Sequence, residues 1–386
     1  MIKNKLSRRR FLQTSGLAVT SALLMPENTF ARQSRELTLY VGTYTSGTSE
    51  GIYVYRMNSD TGELKMFSSI KSENPSFLTL DRSRRFLYAV NEVPEFEGKP
   101  GGAVSAYAIE ANGKLRFLNQ QPSHGADPCH LSLDQGRKNL LVANYTGGNL
   151  ALLPIGSDGR LGAIADLKQH EGSGPKQQQN GPHAHCIILD RNQRYALAAD
   201  LGIDKVMIYR FDRARRKLRP GKQPSANLQA GAGPRHLTFH PTGRFLYVIN
   251  ELDSTMTTMK YNPADATLTT IDTVSTLPAG YSEVSYCADV NVSPSGRFLY
   301  GSNRGHNSIV VFAIDQRTGK PTLVEHVSTQ GNWPRNFVID PTGRFLLVAN
   351  QRSDNVVIFR IDAKTGRLTP SGHASQIPVP VCLKFR

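Results

Sequence analysis

Three arginines, two glutamates and a pair of histidines stand out in this chain of 386 residues, because most of them hold fixed places in a phrase that otherwise repeats. Arg235, Arg335 and His185 share one station, fifteen residues before the polar residue that closes each copy; Ser76, Cys129 and Ala288 hold it in the other copies. Glu92, Glu251 and Arg304 share a second station, directly after the closing residue, with Tyr145, Leu201, Gln351 and, in a split copy, Tyr44. Arginine can stabilise negative charge developing on oxygen or clamp an anionic substituent. Glutamate and histidine can move protons. A purely structural station would tolerate Val, Ala, Thr or Ser, and gathering ionisable groups costs desolvation unless they pair or bind something. Pairing of Arg235 with Glu251 inside one repeat is the plain alternative to a ligand site.

Two further groups bear on the same chemistry. His183 and His185, in GPHAH, lie two apart on an expected strand and so share a face, a spacing that could chelate metal. No third histidine or carboxylate arrives at suitable spacing, so neither a metal nor a cofactor is expected. His306, in NRGHNS, is placed in a loop lining the mouth. His236, one residue beyond Arg235, is expected to point to the opposite strand face as a packed histidine. Trp333, the single tryptophan, either floors the cavity or caps the core. The chain carries no G-x-S-x-G elbow, Walker loop, dinucleotide fingerprint or H-E-x-x-H.

The elements that position these residues follow from the repeat itself. PRHLTFHPTGRFLYVINE (234–251) and PRNFVIDPTGRFLLVANQ (334–351) are strong copies, with weaker ones at 75–92, 128–145, 183–201 and 287–304. The closing residues Asn91, Asn144, Asp200, Asn250, Asn303 and Asn350 are spaced by 53, 56, 50, 53 and 47. In each copy two short apolar runs flank a turn such as His240-Pro241-Thr242-Gly243, where Pro presets φ and Gly accepts positive φ. A second hairpin follows, as around Asp315 to Gly319. Two hairpins per period of about fifty residues predict four-stranded blades of an all-β propeller.

A seventh blade is split. Leu37 to Thr43 resembles a second strand and precedes an outer hairpin over 52–67; its missing first strand is expected at 379–385. Joining the ends in one blade removes open sheet edges. Neighbouring strands are antiparallel, so the start of strand one and the end of strand two meet at the same rim. Both stations therefore ring one mouth of the channel.

Composition sets the remaining bounds. The net charge is +15; residues 1–31 hold five positive charges and one negative, leaving +11 for the rest. The cations are scattered, without an aromatic-interleaved stripe, so no nucleic-acid partner is expected. Ser7-Arg8-Arg9-Arg10-Phe11-Leu12, followed by a short apolar stretch to Met25, matches a twin-arginine export signal. That stretch is too short to span a bilayer. The reading is thus a signal over 1–31, a propeller domain over 32–386, and a periplasmic or secreted protein, monomeric or a weak homo-oligomer. Cys129, Cys186, Cys287 and Cys382 form no C-x-x-C pair and are expected as buried free thiols.

GTYT (42–45), GPHAH (181–185), GPRHLTFHPTGRFLYVINE (233–251), SNRGH (302–306) and PRNFVIDPTG (334–343) together resemble the seven-bladed propeller lactonase family. That family includes 6-phosphogluconolactonases and carboxymuconate lactonising enzymes. The stations and their neighbours place His183, Arg335, Tyr44, Glu92, Tyr145 and His306 around the substrate, and the resemblance implies catalytic roles for His185, Arg235, Glu251 and Arg304. It implies metal-independent hydrolysis of a sugar lactone, Glu251 deprotonating water and His185 protonating the leaving oxygen, or the reverse. Export favours an unphosphorylated aldonolactone over a cytoplasmic sugar phosphate. The alternatives are a non-catalytic propeller binding a sugar acid or a partner protein at this mouth, and a muconate-type lactonising activity.

Overall fold

Strand two of each expected blade is apolar at nearly every position, and a strand sandwiched on both faces should read that way. The computed structural model describes residues 36–386; the export signal expected over 1–31 lies outside the described residues. Phe245–Asn250 and Phe345–Asn350 are buried along their whole length. Outer strands such as Lys217–Asn227 are mostly exposed or half-buried.

Seven four-stranded antiparallel sheets form the blades. In chain order, blades 1 to 6 occupy residues 78–122, 128–169, 184–227, 234–275, 286–328 and 334–376. Blade 7 joins residues 36–71 to the C-terminal strand Pro380–Phe385. A small extra hairpin, Glu95–Phe96 with Lys99–Pro100, is inserted after Glu92. Among the described residues no helix is long and apolar enough to cross a membrane.

The repeated turn is built as its residues require. Gly243, Gly296 and Gly343 have φ near +72 to +73°, the conformation that favours glycine. Asp81, Asp134, Asp190 and Asp340 each accept backbone N–H groups four and five residues on, for example Asp340 Oδ1 from Arg344 and Phe345 at 2.8 and 2.7 Å. The same phrase ties neighbouring blades together. Tyr88, Tyr247, Tyr300 and Tyr40 each donate a hydroxyl to a glycine carbonyl in the next blade's outer hairpin, at 2.9 to 3.0 Å. Arg244 does likewise to Gln316 O at 2.7 Å.

Closure of the ring rests on the C-terminal strand, which pairs Leu39 with Phe385 and Val41 with Leu383. Val381, Cys382 and Leu383 are fully or almost fully buried. At about 1.5–3 kcal/mol for each large apolar side chain, losing this strand removes much of a typical stability of about 5–15 kcal/mol. Deleting residues 379–386 is therefore expected to abolish the cooperative thermal transition. A truncated protein melting like the full chain would show that closure contributes little.

Candidate active site

The inner strands carry a device that their local sequence does not announce. In blades 2, 3, 4 and 6 the pairing with strand two slips by one residue at Cys129, His185, Arg235 and Arg335. Such β-bulges re-aim side chains and are common beside functional sites. In blades 4 and 6 they turn two consecutive residues toward the channel, Arg235 with His236 and Arg335 with Asn336; these line one central cavity together with Ser76, Phe77, Cys129 and Val381.

His236 therefore does not face away from Arg235, as strict strand alternation predicts. Its Nε2 lies 3.2 Å from Arg235 Nη1, and its Nδ1 lies 2.8 Å from Asp289 Oδ1.

Two charge clusters sit at the mouth. In the first, Glu251 Oε2 lies 2.9 Å from both Arg235 Nε and Arg304 Nη2. The Arg235 N–H is not aligned for a hydrogen bond, so this contact is an ion pair. Arg235 Nη1 donates to Ala288 O at 2.6 Å, and Arg304 Nη2 to Cys287 O at 2.9 Å. Among the described residues, Arg235 Nη2 and Arg304 Nη1 have no hydrogen-bond partner.

In the second cluster, Glu92 accepts from Tyr44 Oη at 2.7 Å and from the Ser76 hydroxyl. Arg335 lies 3.7 Å from Glu92 and over the Tyr44 ring. Six sequence-predicted residues thus form two adjoining Arg–Glu cradles.

His185 is 5 % exposed. It packs edge-on against Tyr145 and His236, each with a ring-centroid distance of 5.4 Å, and its Nδ1 lies 3.7 Å from Cys129 Sγ. Burial, then the Arg235 charge, holds its pKa well below the usual imidazole value, so it is neutral at neutral pH. Glu251 is held the other way. Burial would raise its pKa, but Arg304 and Arg235 outweigh that and keep the carboxylate ionised. Arg235 is lowered to about 10 by burial and then by Arg304 and Arg335, and stays charged. Burial pushes the Tyr145 phenol up to about 12, so it remains a neutral donor.

The remaining expectations divide. His183 stacks on Tyr145 with centroids 4.5 Å apart, and its Nδ1 lies 3.1 Å from Tyr145 O. It thus stands behind Tyr145 at the rim. Among the described residues, no group of three His, Cys, Asp or Glu gathers as metal ligands. His306 joins a different cluster, 2.7 Å from Ser308 Oγ and edge-on to Tyr281 and His326. Its loop turns it toward the outer strands of blade 5 rather than toward Arg235 and Glu251.

Trp333 lies between Arg304 and Arg352, whose guanidinium carbons are 5.4 and 3.5 Å from its ring centroid. Its φ is +66°, a strained value for a bulky residue. It flanks the mouth instead of capping the core. All four cysteines are buried and unbridged.

Sequence reasoning placed Ser76 at the rim without a role, and missed Asp289 and the channel-facing His236. Proline precedes the bulge in blades 2, 4 and 6, but Ala184 does so in blade 3, so no single residue type marks it.

A family model described as "Lactonase, 7-bladed beta-propeller" matches residues 38–385. The chain is 39 % identical over 306 residues to a 6-phosphogluconolactonase of Bacillus subtilis, covering 78 % of this chain and 84 % of the relative. A crystal structure of a 6-phosphogluconolactonase-like protein from Bacteroides fragilis superposes with a TM-score of 0.85 at 38 % identity, over 94 % of this chain and all of that one. The structure of a periplasmic gluconolactonase from Pseudomonas aeruginosa superposes with a TM-score of 0.87 at 34 % identity, over 91 % of this chain and 99 % of that one.

Proposed function

Because the chain belongs to the seven-bladed β-propeller lactonase family, we propose that it hydrolyses a sugar lactone at this mouth, with Arg235, Arg304 and His185 carrying the chemistry. One observation supports this above the others: two arginines share Glu251 Oε2, each keeps an uncommitted guanidinium nitrogen, and a neutral histidine is buried beside them.

Water attacks the ring carbonyl carbon and gives its proton to His185. The oxyanion is held by Arg235 Nη2 and Arg304 Nη1. Collapse breaks the bond from the acyl carbon to the ring oxygen, and the imidazolium returns the proton to that oxygen. The product is an open hydroxy acid, whose carboxyl group then ionises.

The sequence reading gives Glu251 as the base, with His185 as the acid. The engagement of Glu251 with two guanidinium groups favours another role: it keeps two like charges together, with their free nitrogens at the reacting oxygen. Tyr145, His183, Glu92, Tyr44 and Arg335 complete the rim around the substrate.

The cradles also bear on substrate choice. Arg235, Arg304 and Arg335 each already face a carboxylate. The cradles hold three arginines against two glutamates, so their net charge of +1 leaves a phosphate dianion brought into the mouth only half compensated, at a cost in desolvation. An unphosphorylated aldonolactone meets no such cost. This fits the twin-arginine pattern at Arg8 and Arg9, a periplasmic location, and the likeness to a periplasmic gluconolactonase.

The test is acid release from glucono-δ-lactone and from its 6-phosphate, corrected for spontaneous opening. The neutral lactone is expected to have a kcat/KM at least about tenfold higher, roughly 1.4 kcal/mol of discrimination. Preference for the phosphate ester would overturn the substrate assignment. Absence of hydrolysis across a lactone panel would overturn the activity.

A further inference from the structure

The proposed lactonase site leaves the buried His236–Asp289 pair without a role. His236 and Asp289 are 6 % and 6 % exposed and come from adjacent blades, 4 and 5. Their contacts are specific at both ends of the imidazole. Nδ1 faces Asp289 Oδ1 at 2.8 Å, and Nε2 faces Arg235 Nη1 at 3.2 Å. Asp289 is itself pinned: its Oδ2 accepts from Asn336 Nδ2 at 2.6 Å, and its Oδ1 accepts from Val290 N at 2.9 Å. Asn336 Oδ1 in turn accepts from Leu383 N of the closing strand at 2.7 Å.

These partners dictate one tautomer. A guanidinium can only donate, so Nε2 must present a lone pair to Arg235. An ionised carboxylate can only accept, so Nδ1 must carry the proton. If His236 were protonated, or carried its proton on Nε2, two N–H groups would oppose each other and the Arg235 contact would be lost.

We propose that Asp289 and His236 act as a positioning pair for Arg235, fixing its guanidinium so that Nε meets Glu251 and Nη2 is presented to substrate. Arg235 acts directly on the substrate in the reading above, on which this inference rests; His236 and Asp289 act through it. The charged and titratable groups facing His236 are Arg235 on its own strand, Asp289 from blade 5, His130 and His185 from blades 2 and 3, and Lys384 from blade 7. Burial first, then Arg235, lowers His236 to about 4 against the pull of Asp289, which keeps the accepting form populated at neutral pH. The arrangement also gives the channel-facing bulge a purpose: without it, Arg235 and His236 would lie on opposite faces.

The experiment combines imidazole nitrogen NMR with kinetics. In the full-length wild-type protein, His236 is expected as the Nδ1–H tautomer. Asp289→Asn can present its amide N–H to Nδ1 and move the proton to Nε2. That variant is expected to lose about 10²-fold in kcat, the scale of a misplacement near 1 Å. His236→Gln can accept from Arg235 and donate to Asp289, so it should keep most activity, whereas His236→Leu should resemble Asp289→Asn. Variants are compared only after thermal melts show a folded ring.

A wild-type Nε2–H tautomer, or wild-type kcat in folded Asp289→Asn and His236→Leu, overturns the proposal. Absence of lactone hydrolysis by the wild type counts against the enzymatic reading instead. The tautomer measurement then still decides the Arg235 contact.

Discussion

Replacing Arg235 with methionine is expected to lower kcat by about 10² to 10³-fold, the cost of removing one preorganised oxyanion donor, with a smaller change in KM. Methionine fills similar volume without charge, so the loss reports on the guanidinium rather than on a cavity. Glu251 keeps Arg304 at 2.9 Å and is not stranded without a cation. The groups left unpaired are the Ala288 carbonyl and His236 Nε2, which Arg235 Nη1 now serves. Leaving such buried acceptors unsatisfied costs about 1–3 kcal/mol each, so a lowered but cooperative melting transition should accompany the loss of turnover.

Lysine at position 235 should not rescue activity. One ammonium on a flexible stem cannot reach Glu251, Ala288 O, His236 and substrate together. A folded Arg235→Met protein with turnover close to wild type would remove this arginine from the mechanism.

The second large effect is expected at His185. His185→Gln removes the proton shuttle and should lower kcat by about 10² to 10⁴-fold while leaving the inner strand of blade 3 intact. The pH profile adds an independent sign. The folded-state pKa of His185 lies well below 6.5, so the neutral, proton-accepting form persists as pH falls through the ordinary imidazole range. The wild-type kcat/KM should therefore be flat across neutral pH and decline only in more acidic solution, where protonation removes the acceptor. In His185→Gln that acid limb should vanish or move.

Glu251→Gln provides the contrast. If Glu251 were the base, this variant would itself lose most turnover through kcat. In the mechanism favoured here, Glu251→Gln loosens two arginines that then repel each other, and its larger signature is a raised KM.

Much of this protein is legible in its sequence. The spacing of six phrases predicted the blades, and the match between residues 379–385 and the other inner strands predicted the shared closing blade. These features are periodic, and burial on both faces of an inner strand imposes the same apolar pattern in every copy. The two stations likewise brought Arg235, Glu251, Arg304, Glu92, Arg335 and Tyr44 to one rim, because antiparallel pairing places the start of one strand beside the end of the next.

Tertiary structure decided the rest. Strand alternation sent His236 away from Arg235, and the one-residue slip at the bulge returned it to the channel, where Asp289 from the neighbouring blade meets it. Loop position predicts His306 at the mouth, whereas Tyr281 and His326 gather it against the outer strands of blade 5. The protonation of His185 could not be read from its neighbours in sequence, since burial and a guanidinium fifty residues away set it. Periodicity fixes which rim a residue belongs to. Its facing direction and its charge depend on register slips and on groups from other blades, and only the closed ring brings those together.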